Sequence, residues 1–224
     1  MLGTVVNTLA VMAGAGVGLA LRRKTPEKSM DTIFSVVGLF TLYLGFSMVS
    51  ETARPVSLIL GSLLGTLLGE KAGLEEALTG LAERVRKRVG GGGRFVEGLI
   101  TAFLTFCVGP MTIVGSLRDG MGDPSIILAK SVMDGFVAVA YSAAMGVGVF
   151  FSAFFLLAFQ GSLAIIGAYL GEVFPSDVVR EITAAGGLIL LGLGLNLLRL
   201  RKLKVGNMLP SLATVPLLSY FLKM

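Results

Sequence analysis

Three stretches of this chain, Thr4 to Leu21, Thr32 to Ser50 and Phe136 to Gly171, contain no charged residue. A helix rises about 1.5 Å per residue, so roughly 20 apolar residues cross the ~30 Å hydrocarbon core of a bilayer. A helix of that length in water keeps a polar face. These keep none. With 54% of residues hydrophobic and 15% charged, the chain reads as an all-α, polytopic integral membrane protein whose first partner is the lipid bilayer. The basic cluster Arg22-Arg23-Lys24 follows the first apolar run. A secretory signal carries its positive charge in front, so this segment reads as a retained span.

The spacing of basic residues orders the rest. Eight segments are read, near 3–21, 31–50, 55–69, 95–117, 126–149, 152–173, 178–198 and 205–222. Lys and Arg collect after the first, third and seventh, whereas Glu51 to Arg54, Arg118 to Asp123 and Glu172 to Glu181 are poor in them. Three basic loops on one side follow the positive-inside pattern. They place the loops at 22–30, 70–94 and 199–204 in the cytoplasm and both termini outside. Charge grouped this way marks topology, and no nucleic-acid partner is expected. The boundary at 145–152 is the weakest, because nothing polar marks a turn there; Gly146 and Gly148 permit a tight connection, and one long tilted helix also fits.

A weak internal repeat runs through the chain. Gly14 and Gly18 stand to Asn7 as Gly167 and Gly171 stand to Gln160, and Gly38 and Gly45 match Gly187 and Gly194. Each block closes with a third apolar segment opened or broken by proline, Pro55 or Pro210. The first copy enters from outside and the second from inside, so the reading is an inverted-topology three-helix repeat, an architecture that recurs in transporters. The chain divides accordingly into a first repeat (1–70), a cytoplasmic amphipathic helix with a Gly-rich linker (71–94), a broken fourth span with span five (95–151) and the second repeat (152–224). In the linker region Leu74, Leu78, Leu81 and Val85 recur at helical spacing, which fits a helix lying on the membrane surface or one that binds a partner.

The sharpest local sequence is Phe106-Cys107-Val108-Gly109-Pro110-Met111-Thr112-Ile113-Val114-Gly115-Ser116. Proline removes a backbone donor and displaces the preceding turn. Counted from Phe95, the break falls roughly 20 Å into the bilayer, where irregular backbone needs protein or a water-filled cavity around it. Either an ordinary kink or a half-helix start that receives a dipolar or anionic ligand fits. Together with Gly3-Thr4-Val5-Val6-Asn7, Lys130-Ser131-Val132-Met133-Asp134-Gly135 and Phe159-Gln160-Gly161, this stretch resembles the YdfK/YqgA-type family of uncharacterised bacterial inner-membrane proteins, a domain of unknown function. The resemblance covers essentially the whole chain. It implies a location in the bacterial plasma membrane and carries no assigned site.

The candidate substrate-binding residues therefore rest on physics: Asn7, Gly109, Pro110, Met111, Thr112, Ser116, Lys130, Asp134 and Gln160. Lys130 and Asp134 lie one helical turn apart; intramembrane charges pair with each other or face a pathway, and near the outer surface Lys130 can also snorkel outwards. Asn7 and Gln160 hold equivalent places in the two copies, as glue between helices or on a central path. Gly61, Gly65 and Gly69 share one face of the third span, for packing within the subunit or for a homo-oligomer. One cysteine and no histidine exclude an internal disulfide and a Ser-His-Asp or Cys-His site within one chain. No metal, cofactor or enzymatic activity is expected. The expected function is translocation of a small solute or ion by a secondary transporter or channel; the alternative is a structural or sensory membrane protein acting through its cytoplasmic helix.

Overall fold

The computed structural model describes residues 1–24, 26–170 and 175–222. Gly171, the counterpart of Gly18, and positions 172–174 of the acidic loop lie outside the described residues. The described chain is helical, with no strand: α1 (Leu2–Lys24), α2 (Glu27–Val49), α3 (Pro55–Ala72), α4 (Leu74–Val89), α5 (Phe95–Cys107), α6 (Pro110–Gly120), α7 (Ser125–Met145), α8 (Gly148–Leu170), α9 (Ser176–Leu197), a 3-10 turn (Val205–Met208) and α10 (Ser211–Leu222). By length and composition, five of these segments can cross a membrane, or up to seven if each of two bent pairs counts as one span. The bent pairs are α3 with α4, at 58°, and α5 with α6, at 67°. Of the second segment in the sequence reading, only Ser35–Val49 counts as a shorter apolar helix.

The helices are inside-out relative to soluble ones. Along α3, Ser57, Gly61, Gly65 and Gly69 are buried, while Ile59, Leu63 and Leu67 are exposed. In α7, Lys130, Ser131, Asp134 and Ser142 are buried, while Val132, Met133 and Phe136 point outward. In water such faces would aggregate. In lipid they are the expected exterior, with small and polar groups gathered where helices meet.

Two compact units form. The first holds α1, α5, α6, α7 and α8, with the start of α2 and, from Leu81 on, the rest of α4. Glycine sets its spacing: a Cβ on Gly14 would lie 2.1 Å from the Gly135 carbonyl oxygen, and one on Gly18 would lie 2.3 Å from that of Val139. α1 and α7 thus approach backbone to backbone. Likewise, Gly167 of α8 abuts the Leu117 carbonyl and Gly120 of α6 that of Ala164. Phe95 and Phe103 of α5 meet Phe151 and Phe155 of α8. Between α7 and α8 there is a true turn: Gly146 takes φ +89°, which only glycine adopts readily. The second half of α4 packs Ala82 and Val85 against Phe95 and Leu99. Leu81, expected on the packed stripe, is 44% exposed, because the helix rests on Ala82 instead.

The second unit holds the remainder of α2 and of α4, with α3, residues 108–110, α9, the 3-10 turn and α10. The face of α3 bearing Gly61, Gly65 and Gly69 is covered by Val215, Ser211 and Asn207 of the same chain, and Thr214 Oγ1 donates to the Gly61 carbonyl at 2.6 Å. That stripe serves packing within the subunit. α2 crosses α9 with Gly38 on Leu198, Gly45 on Leu191, Leu42 on Gly194 and Val49 on Gly187; the order reverses along the pair, so the two helices run antiparallel. Gly73, in the left-handed conformation, ends α3. α4 then starts with Glu75 N–H donating to Asn207 Oδ1 at 2.8 Å, while Gly206 N–H donates to Glu75 Oε2 at 2.6 Å. Asn196 closes the following turn by bonding both Leu203 N–H and its carbonyl.

Candidate functional site

The close approach of α1 and α7 in the first unit brings polar side chains of three helices together. Asn7 (α1) donates through Nδ2 to Asp134 Oδ2 (α7) at 3.0 Å and to Gln160 Oε1 (α8) at 3.2 Å. The Lys130 ammonium, one turn before Asp134, donates to the same carboxylate oxygen. Asn7 and Gln160 are wholly buried, and Lys130 and Asp134 are each 7% exposed. Lys130 therefore does not reach outward to the surface. Its Nζ sits 5.9 Å from the centroid of the Phe106 ring, within cation–π range. Phe106 stacks in turn on Tyr141.

Bonding in this cluster is incomplete. Among the described residues, Asn7 Oδ1 and Gln160 Nε2 are buried without a hydrogen-bond partner, as is Ser116 Oγ. Leaving a buried polar group unpaired costs about 1–3 kcal/mol, so native cores leave few, and each calls for an explanation. Here an acceptor (Asn7 Oδ1) and a donor (Gln160 Nε2) belong to two amides already bonded to each other. A molecule offering one donor and one acceptor would satisfy both.

The fourth segment of the sequence reading is a pair of helices bent by 67°. α5 ends at Cys107 and α6 opens at Pro110, which leaves carbonyls at the end of α5 without their next-turn donors. Thr112 Oγ1 repairs one of them, donating to the Phe106 carbonyl at 2.8 Å. Phe106 thus links the break to the cluster, with its carbonyl on Thr112 and its ring under Lys130. Met111 is half-buried and Ser116 buried one turn beyond Thr112. Gly109 is half-buried, and a Cβ there would meet nothing within 4 Å. The structure therefore brings Asn7, Lys130, Asp134 and Gln160 into one hydrogen-bonded cluster and ties Thr112 to it through Phe106. Gly109 and Pro110 group with the second unit.

One residue that the sequence reading passed over is Asp119. Its buried carboxylate accepts from Gly3 N–H at 2.9 Å and from both Thr4 N–H and Thr4 Oγ1 at 2.8 Å. It caps α1 from a different helix. α1 has no acidic residue in its own first turn, and its unmet amides were the available signal.

An inside-out helical fold enclosing a buried charged and amide cluster defines a multi-pass α-helical membrane protein. The chain belongs to the family described as a protein of unknown function (DUF554), whose model matches residues 2–220. It is 28% identical over 225 residues to the "Uncharacterized membrane protein YdfK" of Bacillus subtilis (strain 168), covering 98% of this chain and 96% of that protein. It is 31% identical over 219 residues to the "Uncharacterized protein YqgA" of Escherichia coli (strain K12), covering 95% of this chain and 93% of the relative. No solved structure matches the chain.

Proposed function

We propose that this protein translocates a small polar solute or ion across the bacterial plasma membrane, as a carrier or channel whose path runs through the Asn7–Asp134–Gln160 cluster. The observation that carries this reading is the unpaired acceptor and donor on two fully buried, mutually bonded amides. A cluster used only as glue gains by satisfying every group. One that receives a ligand keeps groups in reserve.

The finer architecture belongs to the same proposal: eight spans, an inverted three-helix repeat, a broken fourth span and both termini outside. Contacts between equivalent helices support the repeat. Asn7 and Gln160, matched by sequence alone, bond each other directly. In the α2–α9 crossing, the Gly38–Leu198 contact exchanges with Val49–Gly187, and Gly45–Leu191 with Leu42–Gly194. Matched helices meeting antiparallel at matched positions fit a two-fold axis across the helices, as inverted topology requires. The name of the Bacillus relative supports a membrane site, and both relatives' organisms are bacteria.

The test is reconstitution into liposomes. Swelling in urea or glycerol, followed by light scattering, reads neutral solutes; an entrapped pH dye reads proton flux; ion-selective electrodes read Na⁺, K⁺ and Cl⁻. At least one of these should exceed empty vesicles. N7L and Q160L should each lower it about tenfold, the loss expected for one hydrogen bond of ~1.4 kcal/mol. Permeability equal to empty vesicles across the panel would favour a structural or sensory role for the protein, acting through α4.

A further inference from the structure

The buried amides of Asn7 and Gln160 are oriented from one end. A carboxylate only accepts hydrogen bonds, so the Asn7 atom 3.0 Å from Asp134 Oδ2 must be the NH2 nitrogen. That nitrogen also donates to Gln160 at 3.2 Å, so the Gln160 atom there must be its carbonyl oxygen. The remaining atoms follow by elimination: Asn7 keeps a spare carbonyl oxygen and Gln160 a spare NH2. Both side chains are wholly buried, and among the described residues neither spare group has a hydrogen-bond partner. Each spare atom shares its amide carbon with an atom of the Asn7–Gln160 bond. What the pair holds in reserve is therefore one neutral acceptor and one neutral donor, side by side.

The charges beside them act against ions of either sign. Lys130 donates to the same Asp134 oxygen that accepts from Asn7, and both residues are buried. The pair sums to zero. Because both stand on α7, one turn apart, they cannot move far from each other. A cation drawn to Asp134 meets Lys130, and an anion drawn to Lys130 meets Asp134. Repulsion of this kind is strong where water is excluded. An ion would also shed its hydration shell with no uncompensated counter-charge to replace it. A neutral molecule escapes both costs. We propose that the solute received by this cluster is uncharged and carries a hydrogen-bond donor beside an acceptor, as urea, small amides and small polyols do, and that ions are excluded. The inference rests on the transport reading above and names its substrate class.

The test compares neutral and charged solutes on one preparation of liposomes holding the full chain. Light scattering reads the entry of urea and of glycerol; an entrapped pH dye and ion-selective electrodes read H⁺, Na⁺, K⁺ and Cl⁻. Urea or glycerol should enter faster than into empty vesicles, while every ion leaks no faster than from empty vesicles. Q160M keeps the length of the native side chain but carries no amide, and N7L removes the other amide. Each should slow solute entry about tenfold, the effect of losing one hydrogen bond, with far-UV circular dichroism unchanged. Ion or proton flux above empty vesicles, with or without solute entry, overturns the uncharged class and leaves transport itself standing. This arm uses the native chain, so it decides even where a variant fails to fold. Solute entry that folded Q160M and N7L leave unchanged puts the path away from the amides and also overturns the inference. Background permeability to every solute sinks the transport reading, and the substrate class with it.

Discussion

The Lys130–Asp134 pair lends itself to a double-mutant cycle with a definite sign. Both groups are 7% exposed. Asp134 Oδ2 accepts from Lys130 and from Asn7. Among the described contacts, D134L leaves the ammonium the Phe106 ring as its partner, and Asn7 loses an acceptor. K130M leaves the carboxylate the Asn7 amide among those contacts. Removing one member of a buried pair costs about 3–5 kcal/mol, because the other charge stays buried and uncompensated. Removing both and filling the space with apolar groups is often neutral. Each single variant should therefore lose roughly 3–5 kcal/mol, and K130M/D134L only about 1 kcal/mol beyond the native chain, since Asn7 still lacks its acceptor. The coupling, the two single losses less the double loss, is then about 5–9 kcal/mol. Unfolding in mixed micelles by increasing SDS fraction, followed by far-UV circular dichroism, reads these differences. At about 2–4 °C per kcal/mol for a chain this size, the single variants should also lower Tm by roughly 6–20 °C. Additive losses, or single variants as stable as the native chain, would refute a buried, mutually dependent pair.

Packing at glycine gives a second test. G65L should destabilise by about 1–3 kcal/mol or more, because a Cβ there would lie 2.5 Å from the Ser211 nitrogen; G16L, where a Cβ meets nothing within 4 Å, should be near neutral. For orientation, a cysteine at position 202 on a C107A background should label only from the cytoplasm; labelling from outside intact cells overturns the topology. The Glu76–Lys204 ion pair, exposed at 2.8 Å, ties α4 to the loop before the 3-10 turn. Hydrogen bonding from Lys204 holds the Glu76 carboxyl below its usual range, and the same bond and charge hold the Lys204 ammonium above its own. The Glu76 contribution is present above the ordinary Glu value of about 4.3 and is lost as pH falls through its lowered value. The Lys204 contribution is present below about 10.4 and is lost as pH rises through its raised value. A spin label at position 77 should stay ordered across neutral pH and gain mobility below about pH 4 or in high salt. No change in either condition rules out the tether.

What the sequence made legible follows from which forces act locally. Charge-free length reports the helices, because the hydrocarbon excludes charge whatever the neighbours are. The cost of an intramembrane charge singled out Lys130 and Asp134, and the repeat singled out Asn7 and Gln160. None of this showed that the four would share one cluster. That depends on the close approach of α1 to α7 at Gly14 and Gly135, a tertiary fact. The turn at Gly146 was ambiguous because only φ +89° distinguishes it, and sequence supplies a glycine without its angle. The Thr112 bond is hidden for a similar reason: its hydroxyl answers to a carbonyl that only the break frees. Asp119 looked like an acid in an outer loop, yet it caps a helix more than a hundred residues away in sequence.

The Asn7–Gln160 contact allows a sharper test of the repeat than either residue alone. The two side chains differ by one methylene and meet end to end at 3.2 Å. N7Q alone puts two long amides where a long and a short one fit, and overpacking of this kind costs about 1–3 kcal/mol. Q160N alone shortens the reach and breaks the bond, leaving another buried amide group unpaired at about 1–3 kcal/mol. The swap N7Q/Q160N restores one long and one short side chain across the same gap. If the two positions are equivalent about a two-fold axis, the swapped protein should be clearly more stable than the sum of the single losses implies. It should not fully match the native chain, because Asn7 also bonds Asp134 and Gln160 has no such bond among the described contacts. SDS titration reads the four variants on one scale. Strict additivity would mean that the two amides sit in unrelated environments, and the inverted repeat would then lose its strongest local support.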